Sequence, residues 1–201
     1  VDLTGKRVAV IGTGASAVQF VPQIAGKVSR LHLFQRTPPW IQPKPDLVFS
    51  TRAKRLLALP GAARTLRTSI YWAMESLAMG FAVDPRLMKV HQRAALYHLN
   101  SKVSDPVLRA KLTPDYTIGC KRMLLSNDYY PAMVRDNVEV ITDGVREIRE
   151  NSIVDSTGRE IEVDVIIYGT GFKVTDTLKN QRIIGRNGVK IQEAWQDGVE
   201  A

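Results

Sequence analysis

The run Gly12-Thr13-Gly14-Ala15-Ser16-Ala17 has the spacing G-x-G-x-x-A. Alone, that pattern is weak, but here it follows an apolar run, Lys6 to Ile11, and opens a helical pattern from Ala15 to Gly26. In that setting each residue type has a task. Gly12 permits a tight turn, Gly14 lets the backbone approach a pyrophosphate, and Ala17 is small enough for a helix to pack close to a strand. The helix N-terminus then turns N–H donors and the positive end of its dipole toward phosphates. Gly12, Thr13, Gly14, Ala15, Ser16 and, one turn further on, Gln19 are the candidate contacts for a dinucleotide.

The second chemical signal is an absence. Sites for NAD place Asp or Glu about 20 residues past the glycines, on the ribose hydroxyls. This chain has no acidic residue from Leu3 to Pro45, and the corresponding strand ends in Gln35-Arg36-Thr37. A carboxylate repels a 2′-phosphate, whereas a guanidinium pairs with one through charge-assisted hydrogen bonds. Thr37 adds a hydroxyl donor. NADP is therefore expected in preference to NAD.

These residues need a frame. Lys6–Ile11 reads as a buried parallel strand. Val18, Val21 and Ile24 line one face of the helix that follows. Pro22 interrupts that helix, which is expected to end early or bend there. Arg30–Gln35 reads as a second strand, with Leu31 and Leu33 facing one way and Phe34 the other. The four prolines of residues 37–46 exclude helix and predict an extended connector leaving the sheet.

Residues 50–115 read as a helical insertion. Leu66, Ile70, Met74, Leu77 and Phe81 recur at helical spacing. Asp84-Pro85 and Asp105-Pro106 look like helix starts, and Val90, Ala94 and Tyr97 share a face of the helix between them. Core packing is the expected use of the Met and aromatic residues here. Strands are then predicted at Val138–Ile141, in a meander over residues 144–163, and at Asp164–Tyr168, a buried strand running into Gly169-Thr170-Gly171. Asn187-Gly188 suggests a hairpin. The fold class is α/β: a Rossmann-like parallel sheet in residues 1–49 and 116–201, with a β-meander and the helical insertion.

The 201 residues carry a net charge of +8. Residues 1–125 hold 19 Lys and Arg against 6 Asp and Glu, and residues 126–201 hold 9 against 14. A basic half attracts polyanions, and nucleic acid is one class of partner it allows. The 2′-phosphate site gives the charge a more specific use. No membrane span and no signal peptide are read. The single cysteine, Cys120, permits no internal disulfide and fits a reducing cytoplasm. No metal site is expected. The chain opens on Val1 rather than Met, as expected of a piece of a longer protein.

GTGASAVQFVPQIA with LFQRTPPW resembles the NADPH-binding region of Baeyer–Villiger monooxygenases, within the flavin-containing monooxygenases. Cys120-Lys121-Arg122 with Asn127-Asp128-Tyr129-Tyr130, and then DVIIYGTGF at Asp164–Phe172, resemble two further blocks of that family, the last of them where the chain returns toward the flavin domain, so that a return of residues 172–201 to the FAD domain of the parent is an open alternative. The resemblance implies that Arg36, Thr37 and Lys121 hold the 2′-phosphate of NADP. It implies that Arg122 is catalytic, reaching the flavin and stabilising a negatively charged peroxyflavin, a task for which a guanidinium suits because it stays protonated. Flavin contact by Gly169 and Gly171, whose residue type allows a tight turn, is also implied.

The same resemblance implies a parent enzyme that uses NADPH, FAD and O2 on a ketone. N- or S-oxygenation of a heteroatom is the alternative, and a nucleotide-binding module without turnover is the alternative for this chain in isolation. Two family features are missing: a separate fingerprint for FAD, and the F-x-G-x-x-x-H-x-x-x-W signature. His32, His91 and His98 fit no such pattern and are expected to be structural, with Cys120 a small packed residue.

Overall fold

The computed structural model describes residues 1–82, 86, 88–172 and 182–195. Two compact units are separated at Gly169 and Thr170.

The first unit, Val1–Gly169, is built on β1 (Arg7–Ile11), α1 (Ala15–Ala25) and β2 (Arg30–Phe34). Both strands are short apolar runs. The single crossover helix makes them parallel, with Val8 beside Leu31 and Val10 beside Leu33. Later strands complete a four-stranded parallel sheet in the order β5-β2-β1-β9, where β5 is Val138–Ile141 and β9 is Val165–Tyr168.

One face of the sheet, through Val8, Val10, Leu31, Leu33 and Val140, packs on Ala17, Val18 and Val21 of α1 and on Leu99, Leu112, Tyr129 and Met133 from later helices. The other face, through Ala9, Phe34 and Ile141, meets Ile153, Ile161 and Val163 of an antiparallel meander. That meander is β6 (Val145–Ile148), β7 (Ser152–Asp155) and β8 (Glu160–Glu162). The opposed facing expected of Leu31 and Leu33 against Phe34 is thus borne out, and it separates two cores.

Between β2 and β5 lie β3 (Ile41–Gln42), the helices α2 (Thr51–Leu57), α3 (Ala62–Ala82), α4 (Met88–Lys102) and α5 (Pro106–Leu112), then β4 (Leu124–Leu125) and α6 (Tyr129–Met133). The sequence reading missed β3, β4 and α6. Asp105 caps α5, its carboxylate accepting from Val107 N and Leu108 N, with Pro106 in the first turn. The expected start at Asp84-Pro85 lies outside the described residues.

Several expectations need correction. Helix α1 does not end early: it passes through Pro22 to Ala25, since proline keeps a helical φ and removes only one donor. Val90, Ala94 and Tyr97 are exposed, and α4 buries Met88, Ala95, His98 and Leu99 instead. The true stripe includes a histidine, so an apolar count steps past it. Ile70, Tyr71, Trp72 and Met74 of α3 are exposed, not core, and Leu66 is half-buried. The side chains of Leu77 and Phe81 lie outside the description. Strand β9 is a sheet edge, so its residues are half-buried and Tyr168 is exposed.

The second unit, Thr170–Ala201, keeps the predicted turn but not its strands. Asn187 and Gly188 take φ of 65° and 76°, and Ile184–Lys190 is a lone antiparallel bridge. A short α7 (Ile191–Ala194) follows. No helix among the described residues is long and apolar enough to cross a membrane.

Candidate functional site

Three chain segments meet at the carboxyl ends of β1, β2 and β9, where the strand order reverses direction about β1. In open α/β sheets this switch point leaves a crevice. The glycine loop fills the end of β1. Gly12 takes φ 106°, a left-handed value that only glycine adopts freely, and its N–H bonds Phe34 O at 3.0 Å. Thr13 Oγ1 donates to Thr37 O at 3.1 Å, tying the loop to the end of β2. Gly169 N–H bonds Ile11 O at 2.8 Å and closes the third side.

The glycines differ in what they serve. A Cβ on Gly169 would meet Ala17 Cβ, Gly12 O and Ile11 O, each at 3.4 Å, so this position is already filled by protein. Its φ is not positive, so the turn itself does not require glycine there; Gly171, in the second unit, does take φ 95°. Gly14 is the N-cap of α1, with φ −70° and ψ −178°. Among the described residues a Cβ there would meet only Gly169 O, at 3.8 Å. Neither backbone strain nor internal packing demands a glycine at 14.

The same helix end has no side-chain cap and no acidic residue in its first turn. Gly14, Ala15 and Ser16 are exposed, as is Gln19 one turn on. Positive charge faces an open surface.

Arg36 is exposed and Thr37 half-buried. Between them and the core stands Gln35, which is 1% exposed. Its N–H continues the ladder to Ile141 O at 2.8 Å, and its Nε2 donates to Lys111 O at 2.8 Å. Lys111 Nζ in turn donates to Val140 O at 3.0 Å. The last turn of α5 is thereby fastened to the ends of β2 and β5, a connection with no sequence signal.

Lys121 and Arg122 are exposed on a surface segment that also carries Cys120. Cys120 is itself exposed, not packed, because it stands in a turn closed by its N–H on Thr117 O at 3.2 Å. Lys121 Nζ sits 4.6 Å from the centre of the Tyr116 ring, a cation–π contact. Trp40 Nε1 donates to Tyr116 O at 2.9 Å. Strand β4 pairs in parallel with β3, Ile41 beside Leu124. Asn127 completes the join, accepting from Lys44 N and donating to Lys44 O, both at 2.9 Å. The segment after Lys121-Arg122 is therefore stitched to the segment after Arg36-Thr37.

Arg36 and Arg122 make no hydrogen bond or ion pair among the described residues. Other arginines are engaged: Arg159 grips Glu139 at 2.6 and 3.0 Å, and Arg7 grips Asp164. The histidines lie in the elements expected of them, His32 in a strand and His91 and His98 in a helix. His32 Nδ1 meets Glu139 at 3.0 Å, and burial pushes its pKa down while Glu139 resists that. His91 Nδ1 lies 3.1 Å from Gln42 Nε2, and His98 Nε2 lies 3.0 Å from Ser126 O.

A parallel sheet with a glycine loop and an open helix N-terminus at its switch point defines a Rossmann-like dinucleotide-binding fold. No family model matches the chain. The chain is homologous to a part of the Baeyer–Villiger monooxygenases. It is 50% identical, over its full length, to a Baeyer–Villiger monooxygenase of Pseudomonas aeruginosa, and covers 38% of that protein. It is 45% identical to one of Streptomyces coelicolor, covering 39% of it. Among solved structures, oxidized steroid monooxygenase bound to NADP matches with a TM-score of 0.78 at 27% identity, over 99% of this chain and 45% of that one. OTEMO in complex with FAD and NADP matches with a TM-score of 0.73 at 28% identity, over 98% and 44%. The chain thus spans about two fifths of the curated relatives it matches.

Proposed function

We propose that this chain is the NADPH-binding region of an FAD-dependent Baeyer–Villiger monooxygenase, which inserts one atom of O2 into a ketone. Residues 1–49 and 116–201 form the nucleotide-binding part and residues 50–115 its inserted helices. The observation that carries the reading is the pairing of two features at one end of the sheet: an exposed, uncapped helix N-terminus beside an acid-free strand end followed by Arg36 and Thr37.

The residues present fit the dinucleotide. At Gly14 a Cβ would meet, among the described residues, only Gly169 O at 3.8 Å, an ordinary contact, so packing does not close off the backbone that a pyrophosphate would approach. The N–H groups of the first turn of α1, beginning at Ala15 and Ser16, bind the pyrophosphate, and Thr13 holds the loop in place. Arg36 donates to the 2′-phosphate and Thr37 assists it. Lys121 joins them from the neighbouring segment. What supports a neighbouring placement is the join itself: Lys121 Nζ lies over the Tyr116 ring, and the Tyr116 carbonyl accepts from Trp40 Nε1, three residues past Thr37.

When bound, NADPH supplies reducing equivalents to a flavin, which the rest of the whole protein holds. Arg122 is the catalytic group: its guanidinium would stabilise negative charge that develops beside it. The chain alone binds NADP without turning over substrate.

Calorimetric titration of the chain with NADP and with NAD tests the assignment. NADP binds more tightly, and Arg36→Ala weakens NADP by roughly tenfold or more, the loss of a charge-assisted pair, while leaving NAD nearly unchanged. Equal losses for both nucleotides contradict the 2′-phosphate role.

A further inference from the structure

Gln35 stands directly before Arg36 and is buried to 1% exposure. Its amide is only half satisfied: Nε2 reaches Lys111 O at 2.8 Å, but among the described residues no donor reaches Oε1. A buried polar atom without a partner costs free energy that an apolar side chain of similar shape avoids. The neighbours make the contrast sharper, since Leu33 and Phe34 fill the core on either face of the same strand. The bond to Lys111 O supports the last turn of α5, and the unpartnered Oε1 offsets part of that gain.

Geometry supplies another account. The Gln35 N–H is fixed to Ile141 O and its side chain to Lys111 O, so this residue is held at both its backbone and its tip. Gln35 is buried, and Arg36, at the bend that follows it, is exposed and free of any ion pair among the described residues. Thr37, whose carbonyl accepts from Thr13 Oγ1, pins the other side of Arg36. The arginine lies between two anchors.

We infer that Gln35 is a positioning residue for nucleotide specificity: by locking to the Lys111 carbonyl it presents Arg36 to the 2′-phosphate. The inference rests on the proposed NADP site. It assigns to α5 a part in cofactor choice, because the acceptor is the backbone of its last turn.

The test is Gln35→Met, which keeps the length and apolar body of the side chain and removes its amide. Arg36→Ala is measured beside it. Each chain is titrated with NADP and NAD and its thermal midpoint recorded. Gln35→Met is expected to bind NADP roughly tenfold more weakly and NAD within about twofold of the unaltered chain, with little change in midpoint. If Gln35→Met does not fold, Gln35→Asn carries the same measurement, since its amide is one methylene too short to reach Lys111 O. Selective loss in Arg36→Ala with an unchanged NADP-to-NAD ratio in the Gln35 variant overturns the positioning role alone. Equal loss of both nucleotides with a lowered midpoint reduces Gln35 to a structural residue and also overturns it. No selective loss in Arg36→Ala removes the 2′-phosphate site, and this inference with it.

Discussion

Gly14 and Gly169 both belong to the glycine-rich rim, yet only one is held as glycine by the protein around it. Three atoms at 3.4 Å crowd the place of a Cβ at Gly169, whereas one atom at 3.8 Å borders it at Gly14. Binding and folding should therefore separate at position 14. Gly14→Ala is expected to change stability by less than about 1 kcal/mol, the range of N-cap substitutions. It should weaken NADP by roughly tenfold or more, because the methyl group occupies the pyrophosphate's approach. Urea unfolding and calorimetric titration of the same variant measure the two effects. A variant that keeps its NADP affinity sinks the pyrophosphate reading of this loop. Gly12 and Ala17 were legible in the sequence for the same reason: their tasks are local, a positive φ and a close helix contact. Gln35 was not, because its partner lies 76 residues away.

At the level of elements, the sequence disclosed what neighbouring residues decide together. The β1-α1-β2 unit is legible because its apolar runs are contiguous and its turn carries its own glycines. The α5 helix is legible through Asp105 and Pro106, a cap and a first-turn residue. Asp105→Ala is expected to lower stability by about 1 kcal/mol, read as a shift in the urea midpoint, since two backbone donors lose their acceptor. An unchanged midpoint would mean that tertiary packing alone holds this helix. By contrast, β3 and β4 have two residues each and exist only through one another. No window of local sequence contains both. The buried stripe of α4 was misread because His98 lies in it, hydrogen-bonded to Ser126 O, where an apolar pattern does not look.

For the whole molecule, the first unit is closed by a polar clasp at the start of β1. Arg7 Nη2 meets Asp164 Oδ1 at 2.7 Å, Arg7 N donates to Asp164 Oδ2 at 2.7 Å, and Arg7 Nη1 also pairs with Glu162. The hydrogen bonds from Arg7 hold the Asp164 carboxyl down to about 2, from 3.8. A carboxyl depressed on folding contributes stability that is complete above its unfolded pKa and lost as pH falls through its folded one. Acid sensitivity from this clasp thus falls between about pH 4 and pH 2. Asp164→Asn should be less stable than the unaltered chain at pH 7, and the gap should narrow across that window. Thermal midpoints taken from pH 7 to pH 2 check this; a constant gap removes the clasp from the acid response.

That same closure sets a timetable. Strand β1 is central, with β2 on one side and β9 on the other, and Arg7 and Asp164 are 157 residues apart. A ribosome adding about 5–20 residues per second takes roughly 8–30 seconds to deliver the far partner after the near one has emerged. A β1–β2 pair formed in that interval would leave the other edge of the apolar strand RVAVI open, since β9 fills it in the folded chain. An open edge of this kind is a template for stray pairing. Within the four-stranded sheet, the strand that waits longest for its second neighbour is thus the one that carries the glycine loop.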